Sequence, residues 1–260
     1  MASCRVCGSH DLEPAVDAGR QPISNRFVQK QGESEALFSL RFTLCRDCGI
    51  MQLADCIPPD ELRPRFDWII YNEPEEHLDA MVEMLAGLEG INANSAFLGL
   101  SFKDDSTMHR LARKGFPKTN RIDPAMVGVK EKGAGIETLQ RHVTPAQMRK
   151  VAQANGRADM LIVRHVLEHA YDLKAFCDGL KELVTPQGYI VFEVPDCSQA
   201  IERLDYTTLW EEHVVYFSPQ TLRRCLEEFG FRIEKIMTYP YAFEDSLVCV
   251  VRPLPAGVPK

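Results

Sequence analysis

From residue 95 onward the chain alternates short apolar runs with stretches whose apolar residues recur at helical spacing. SAFLGLSF (95–102), ADMLIVR (158–164) and YIVFEVPD (189–196) are nearly continuous apolar runs, the pattern of strands buried on both faces. A shorter strand ends at RIDP (121–124). Between them, STMHRLARKGF (106–116), TPAQMRKVAQANG (144–156), DLKAFCDGLKELVTPQG (172–188) and SPQTLRRCLEEFGF (218–231) read as amphipathic helices. The third carries the stripe Leu173, Phe176, Leu180 and Leu183. Thr144 and Ser218 are placed as N-caps, Pro219 stands at a first helical position, and Gly156 and Gly230 mark stops. NEPEEHLDAMVEMLAGLE (72–89) predicts one more helix, with Pro74 in its first turn and Leu78, Met81, Val82, Leu85 and Leu88 on one face. FRIEKIMTYP (231–240) and DSLVCVVRP (245–253) close the chain as strands. This order predicts an α/β fold: a parallel, doubly wound sheet with an antiparallel edge.

The first sixty residues behave differently, with apolar patches such as FSLRFTLC between turn residues and no long helical period. The boundary predicted is 1–70 for a small module and 71–260 for the α/β domain. A module this small lacks core volume and needs a staple. Two Cys-x-x-Cys-Gly pairs supply one: Cys4 and Cys7, then Cys45 and Cys48. Two intervening residues let both thiolates of a pair face one tetrahedral ion, and the glycine permits the turn beneath it. The expectation is structural zinc, because four thiolates leave no open coordination position. A thioredoxin-like redox motif would show a single pair opening a helix.

Composition adds exclusions. The net charge of −7, with Lys and Arg scattered among acids, argues against a nucleic-acid partner. No apolar run reaches the roughly 20 residues of a membrane span, and MASCRVCGSHDL has no apolar secretory core, so a cytoplasmic protein without a membrane partner is expected. In a reducing cytosol, the isolated Cys56, Cys177, Cys197, Cys225 and Cys249 read as core filling.

Several short segments form an ordered set over nearly the whole chain: the two knuckles, QPISNRF between them, CGIMQLAD, RIDPA, VLEHAYDL, FEVPD, WEEHVVYFSPQTL and DSLVCVV. As a set they resemble the zinc-containing C-methyltransferases of deoxysugar biosynthesis. The resemblance implies a Rossmann-like class I methyltransferase domain carrying a small N-terminal Cys4 zinc-binding domain, with S-adenosylmethionine as cofactor. It implies His213 as the base that removes a proton beside a ketone, Glu212 as its orienting neighbour, and His169 as a second site histidine. Imidazole suits proton removal because its ordinary pKa lies near neutrality. Gly99, Ser101, Asp123, His165 and Val166 are the cofactor-binding candidates; an acid at the end of a second strand commonly holds a ribose diol, which is the case for Asp123. Tyr71, Asn72 and Trp210 are the substrate-facing candidates.

Three departures qualify the resemblance. In the turn Gly99-Leu100-Ser101-Phe102-Lys103-Asp104-Asp105, bulky Phe102 and Lys103 stand where small or acidic residues are expected, and they are predicted to crowd the methionine end of the cofactor site. Trp210 replaces a tyrosine and offers no phenol. The sequence stops soon after DSLVCVV, where the family continues into another domain, which predicts a smaller acceptor, a partner chain or a homo-oligomer. The expected function is S-adenosylmethionine-dependent methylation of carbon or oxygen on a small keto or hydroxy metabolite, sugar-derived within the family. The competing reading is a non-catalytic, zinc-stapled relative that binds a metabolite or a partner protein.

Overall fold

The structure, a computed structural model, describes residues 2–66, 72–129 and 135–255. Two sheets organise it. The N-terminal sheet has the order β1-β2-β3-β8, with β1 at Leu12–Pro22, β2 at Leu37–Cys45, β3 at Met51–Leu53 and β8 at Val215–Tyr216. The larger sheet has the order β5-β4-β6-β7-β10-β9: β4 is Phe97–Gly99, β5 Thr119–Arg121, β6 Ala158–Arg164, β7 Val184–Asp196, β9 Phe231–Tyr239 and β10 Asp245–Pro253. β4 pairs in parallel with both β5 and β6, and β6 with β7. β10 runs antiparallel between β7 and β9, so the reversal falls one strand in from the edge.

Side-chain alternation divides the large sheet between two apolar layers. Met160, Ile162, Tyr189, Val191, Val248 and Val250 face helices Leu78–Ala86 and Asp105–Arg113. Leu161, Val163, Ile190, Phe192, Cys249 and Val251 share the opposite cluster with Met148, Phe176, Leu180, Leu222 and the knuckle residues Cys4, Val6, Cys45 and Ile50. The zinc module therefore packs into the main core. Among the isolated cysteines, Cys177, Cys197, Cys225 and Cys249 are buried, and Cys56 is half-buried with its Sγ accepting from Arg5 Nη2 at 3.0 Å.

The helix expected over 72–89 is shorter, Leu78–Ala86. Residues 72–77 form a strap across the large sheet, because Glu73 and Glu75 reach Lys103, Ser106 and Arg110 instead of continuing a helix. The helix expected over 172–188 stops at Lys181. The VTPQG that follows opens β7, whose pairing with β6 slips between Ala158 and Met160 and absorbs the extra residues. Thr144 and Ser218 cap their helices as predicted, their side chains accepting from Gln147 N–H at 3.4 Å and Thr221 N–H at 3.2 Å. Among the described residues, no helix is long and apolar enough to cross a membrane.

Candidate active site and zinc centre

The knuckle glycines take left-handed backbone, Gly8 at φ 74° and Gly49 at φ 77°. Their N–H groups turn back to Cys4 O at 3.0 Å and Cys45 O at 2.9 Å. This folds each pair so that the four Sγ atoms lie within 4.8 Å of one another, with Cys4–Cys48 at 3.5 Å and Cys7–Cys45 at 3.6 Å. Four thiolates held about 2.3 Å from one tetrahedral zinc stand about 3.8 Å apart. The donors and their spacing fit a structural zinc ion.

The parallel strands place their carboxyl ends together, and β4 is the switch point: the chain leaves it on one side to β5 and returns on the other to β6. Ligands of open α/β sheets bind in the crevice above such a point. The turn after β4 is tightly built. Ser101 is buried and caps the short helix Phe102–Asp104 in a capping box with Asp104. Asp104 is fully buried; its Oδ2 accepts Ser101 N–H at 2.7 Å and its Oδ1 accepts Arg164 N–H at 2.9 Å. Burial pushes this carboxyl up to about 7 against those hydrogen bonds. Gly99 makes room for it, since a Cβ there would stand 3.0 Å from Asp104 Cβ. Phe102 is 46% exposed. Lys103 turns to Glu73 of the strap, Nζ to Oε1 2.8 Å. Asp123 follows β5, exposed, with Oδ1 accepting Ala125 N–H at 2.9 Å.

Past β6 the chain turns sharply at His165, a non-glycine residue at φ 51°. Its ring is buried, with Nε2 3.1 Å from Glu193 Oε1. Glu193, near the carboxyl end of β7, is wholly buried and also meets Arg164 Nε at 2.6 Å, His77 Nε2 at 3.2 Å and Ser246 Oγ at 2.9 Å. Burial opposes its charge, but His165, His77 and Arg164 overcome this and hold it well below the ordinary carboxylate range. Burial likewise opposes a charged His165, and Glu168 and Glu193 outweigh it, lifting the ring to about 10. Val166 is fully buried among apolar neighbours.

His169 and His213 meet edge to face, ring centroids 4.7 Å apart. Burial, reinforced by neighbouring positive charge, drives His169 well below neutrality. Burial also lowers His213, although Glu168 and Glu73 pull the other way. Both rings are therefore neutral at physiological pH, the form a base requires. Glu212 is engaged elsewhere. Its carboxyl accepts from Asn25 Nδ2 and lies within 4.8 Å of Glu137 and His169. Burial and then the Glu137 and Glu211 charges push it up to about 9. The adjacent Glu211 accepts from Ser24 N–H at 2.6 Å and Ser24 Oγ at 2.7 Å.

Immediately after His213 the chain enters β8, which pairs Tyr216 with Met51 and Val215 with Gln52. Val214 is held from both sides: its carbonyl accepts Leu53 N–H at 3.0 Å and its N–H donates to Glu168 O at 2.8 Å. The zinc module thus forms one wall of the histidine site. Trp210 is 38% exposed, and its backbone N–H and carbonyl both bond the Tyr216 hydroxyl. Asn72 is exposed on the strap, and Tyr71 lies outside the described residues.

Sequence reasoning missed Asn25, Glu137, Glu168 and the Glu193 centre. Glu193 left a signal, being a lone acid inside the apolar run YIVFEVPD. Asn25 sat unexplained in QPISNRF, and the 187 residues between it and Glu212 hid the contact.

The doubly wound sheet, with an acid after its second strand and a histidine pair beside the carboxyl end of β6, has the architecture of Rossmann-like domains. The chain belongs to the methyltransferase domain family, whose model matches residues 105–236. Residues 4–62 match a zinc binding domain family. The chain is similar to the C-methyltransferase NovU of Streptomyces niveus, 27% identical over 242 residues that cover 90% of this chain. It spans 57% of that relative's length. Its fold is also that of the 1,6-didemethyltoxoflavin-N1-methyltransferase of Burkholderia thailandensis, at TM-score 0.51 and 13% identity, covering 81% of this chain and 98% of that one.

Proposed function

We propose that this protein methylates carbon or oxygen of a small keto or hydroxy metabolite, with S-adenosylmethionine as donor and His213 as base. The observation that carries the reading is the neutral His213–His169 pair, His169 buried and His213 half-buried, at the carboxyl ends of the parallel strands of a methyltransferase-family domain. The name of the similar protein, a C-methyltransferase, supports carbon as the acceptor atom.

When bound, the donor supplies a methyl group already activated on a sulfonium. Asp123, just after β5, would hold the ribose hydroxyls, and the turn from Gly99 through Lys103 would border the methionine side. On a keto acceptor, His213 takes the proton from the carbon beside the carbonyl, and the C–H electron pair passes into the enolate. His169, through its ring N–H, can donate a hydrogen bond to that oxyanion.

Titration calorimetry of zinc-loaded protein with S-adenosylmethionine and S-adenosylhomocysteine tests the proposal, with both expected to bind. His213→Ala should lose methyl transfer by at least about 10³-fold while keeping its affinity for either compound. Absence of binding by the wild-type protein would refute the assignment and leave the metabolite- or partner-binding module standing.

A further inference from the structure

Glu168 sits in the short turn Leu167–His169 after β6, and it is 2% exposed. Among the described residues, neither carboxylate oxygen has a hydrogen-bond partner. The nearest cation is His165, whose Nδ1 is 3.5 Å from Oε1 and whose Nε2 is already bound to Glu193. A buried carboxylate whose neighbouring cation is already shared with Glu193 is poorly compensated, and such a group fits a place where a further charge or donor appears during function. A Glu168 oxygen and ring nitrogens of His169 and His213 lie within 4.8 Å of one another. The main chain fixes this spacing, because Glu168 O accepts the N–H of Val214, the residue after His213. Glu212, the carboxylate adjacent in sequence, is engaged with Asn25 and Glu137.

We propose that Glu168 is the positioning residue of the reaction, the carboxylate that supports the positive charge His213 acquires on taking a proton. The inference rests on the reading of His213 as the base. In that step the acceptor C–H bond breaks, its electron pair stays on the acceptor as the enolate, and the proton moves to His213. The imidazolium so formed faces Glu168, Glu73 and Glu211 as negative groups and His165 as a positive one, with the His169 and Tyr216 rings beside it. The Glu168 carboxylate completes with it an ion pair that exists only after the proton has moved. That differential contact lowers the barrier without tightening acceptor binding.

The test is Glu168→Gln in the full-length, zinc-loaded protein, read first by NMR titration of the His213 ring. Loss of the carboxylate should move the His213 midpoint down by about one pH unit. In turnover it should lower kcat on the order of 10²-fold with KM within about twofold of wild type. Glu168→Asp keeps the charge on a shorter stem and should restore part of both the midpoint and kcat. It also serves if the glutamine variant fails to fold. An unchanged midpoint in Glu168→Gln, or a rise in KM with kcat unaltered, would overturn the proposal. So would a second tightly held divalent ion per chain that the glutamine variant loses while keeping the knuckle zinc, since the trio would then be a metal site. Failure of the base assignment shows separately, as turnover persisting in His213→Ala, while the NMR midpoint still judges the coupling between Glu168 and His213.

Discussion

Replacing Cys45 with serine should reach the histidine site, about which the knuckle forms a wall. Cys45 is fully buried at the end of β2. A serine hydroxyl does not ionise at neutral pH, so the variant loses one of four thiolates. Structural zinc is worth on the order of 10–16 kcal/mol in small modules, comparable with or larger than the whole stability of a domain at about 5–15 kcal/mol. Losing the ion should therefore melt the knuckles and release β3. Besides the β3–β8 ladder, the described residues tie segment 211–216 to this module by four hydrogen bonds: two from Ser24 to Glu211, one from Asn25 to Glu212, and one from Leu53 to Val214. At about 1 kcal/mol each these four contribute about 4 kcal/mol, in addition to the ladder. Their loss corresponds to roughly a 10³-fold fall in protection from hydrogen exchange. The assay is metal analysis by atomic emission together with exchange mass spectrometry on peptides covering 211–216. Zinc lost with exchange in that segment within threefold of wild type would refute the coupling.

Two further substitutions test the packing and charge of the site, beside the His213 and Glu168 variants described above. Gly99→Ala puts a Cβ 3.0 Å from Asp104 Cβ, and should cost about 1–3 kcal/mol in urea unfolding; an unshifted midpoint would show that the Asp104 turn yields freely. Glu212 is an acid raised on folding, so the native state holds an extra proton between pH 4.5 and about 9, and stability contributed by this group falls as pH rises through that window. Glu212→Gln should flatten the decline between pH 5 and pH 8.5 by at least about 1 kcal/mol, and parallel wild-type and variant curves would contradict the shift.

What could be read from the chain alone was local. Thr144, Ser218, Pro219 and Gly230 act within a few residues of themselves, and each is found at the helix boundary its chemistry demands. The cysteine pairs were legible because a metal fixes their spacing regardless of the fold around them. The strap at 72–77 was not, since helical propensity there yields to ion pairs with Lys103 and Arg110, about thirty residues away. For the same reason the partners of Glu212 were misjudged: adjacency to His213 suggested a dyad, while the folded chain supplies Asn25 and Glu137 for one carboxyl and brings Glu168 across from β6 to the histidine.

The pairing of β8 with β3 joins Met51 to Tyr216, so the small sheet is finished only after most of the polypeptide has been made. During synthesis, both cysteine pairs emerge and can capture their ion long before the last strand of that sheet exists. An early metal-locked nucleus would then wait for a distant segment to dock, a long-range closure of the kind that slows folding. Transplanting residues 1–66 onto another scaffold would leave β3 with an open edge, prone to pairing with a neighbouring chain.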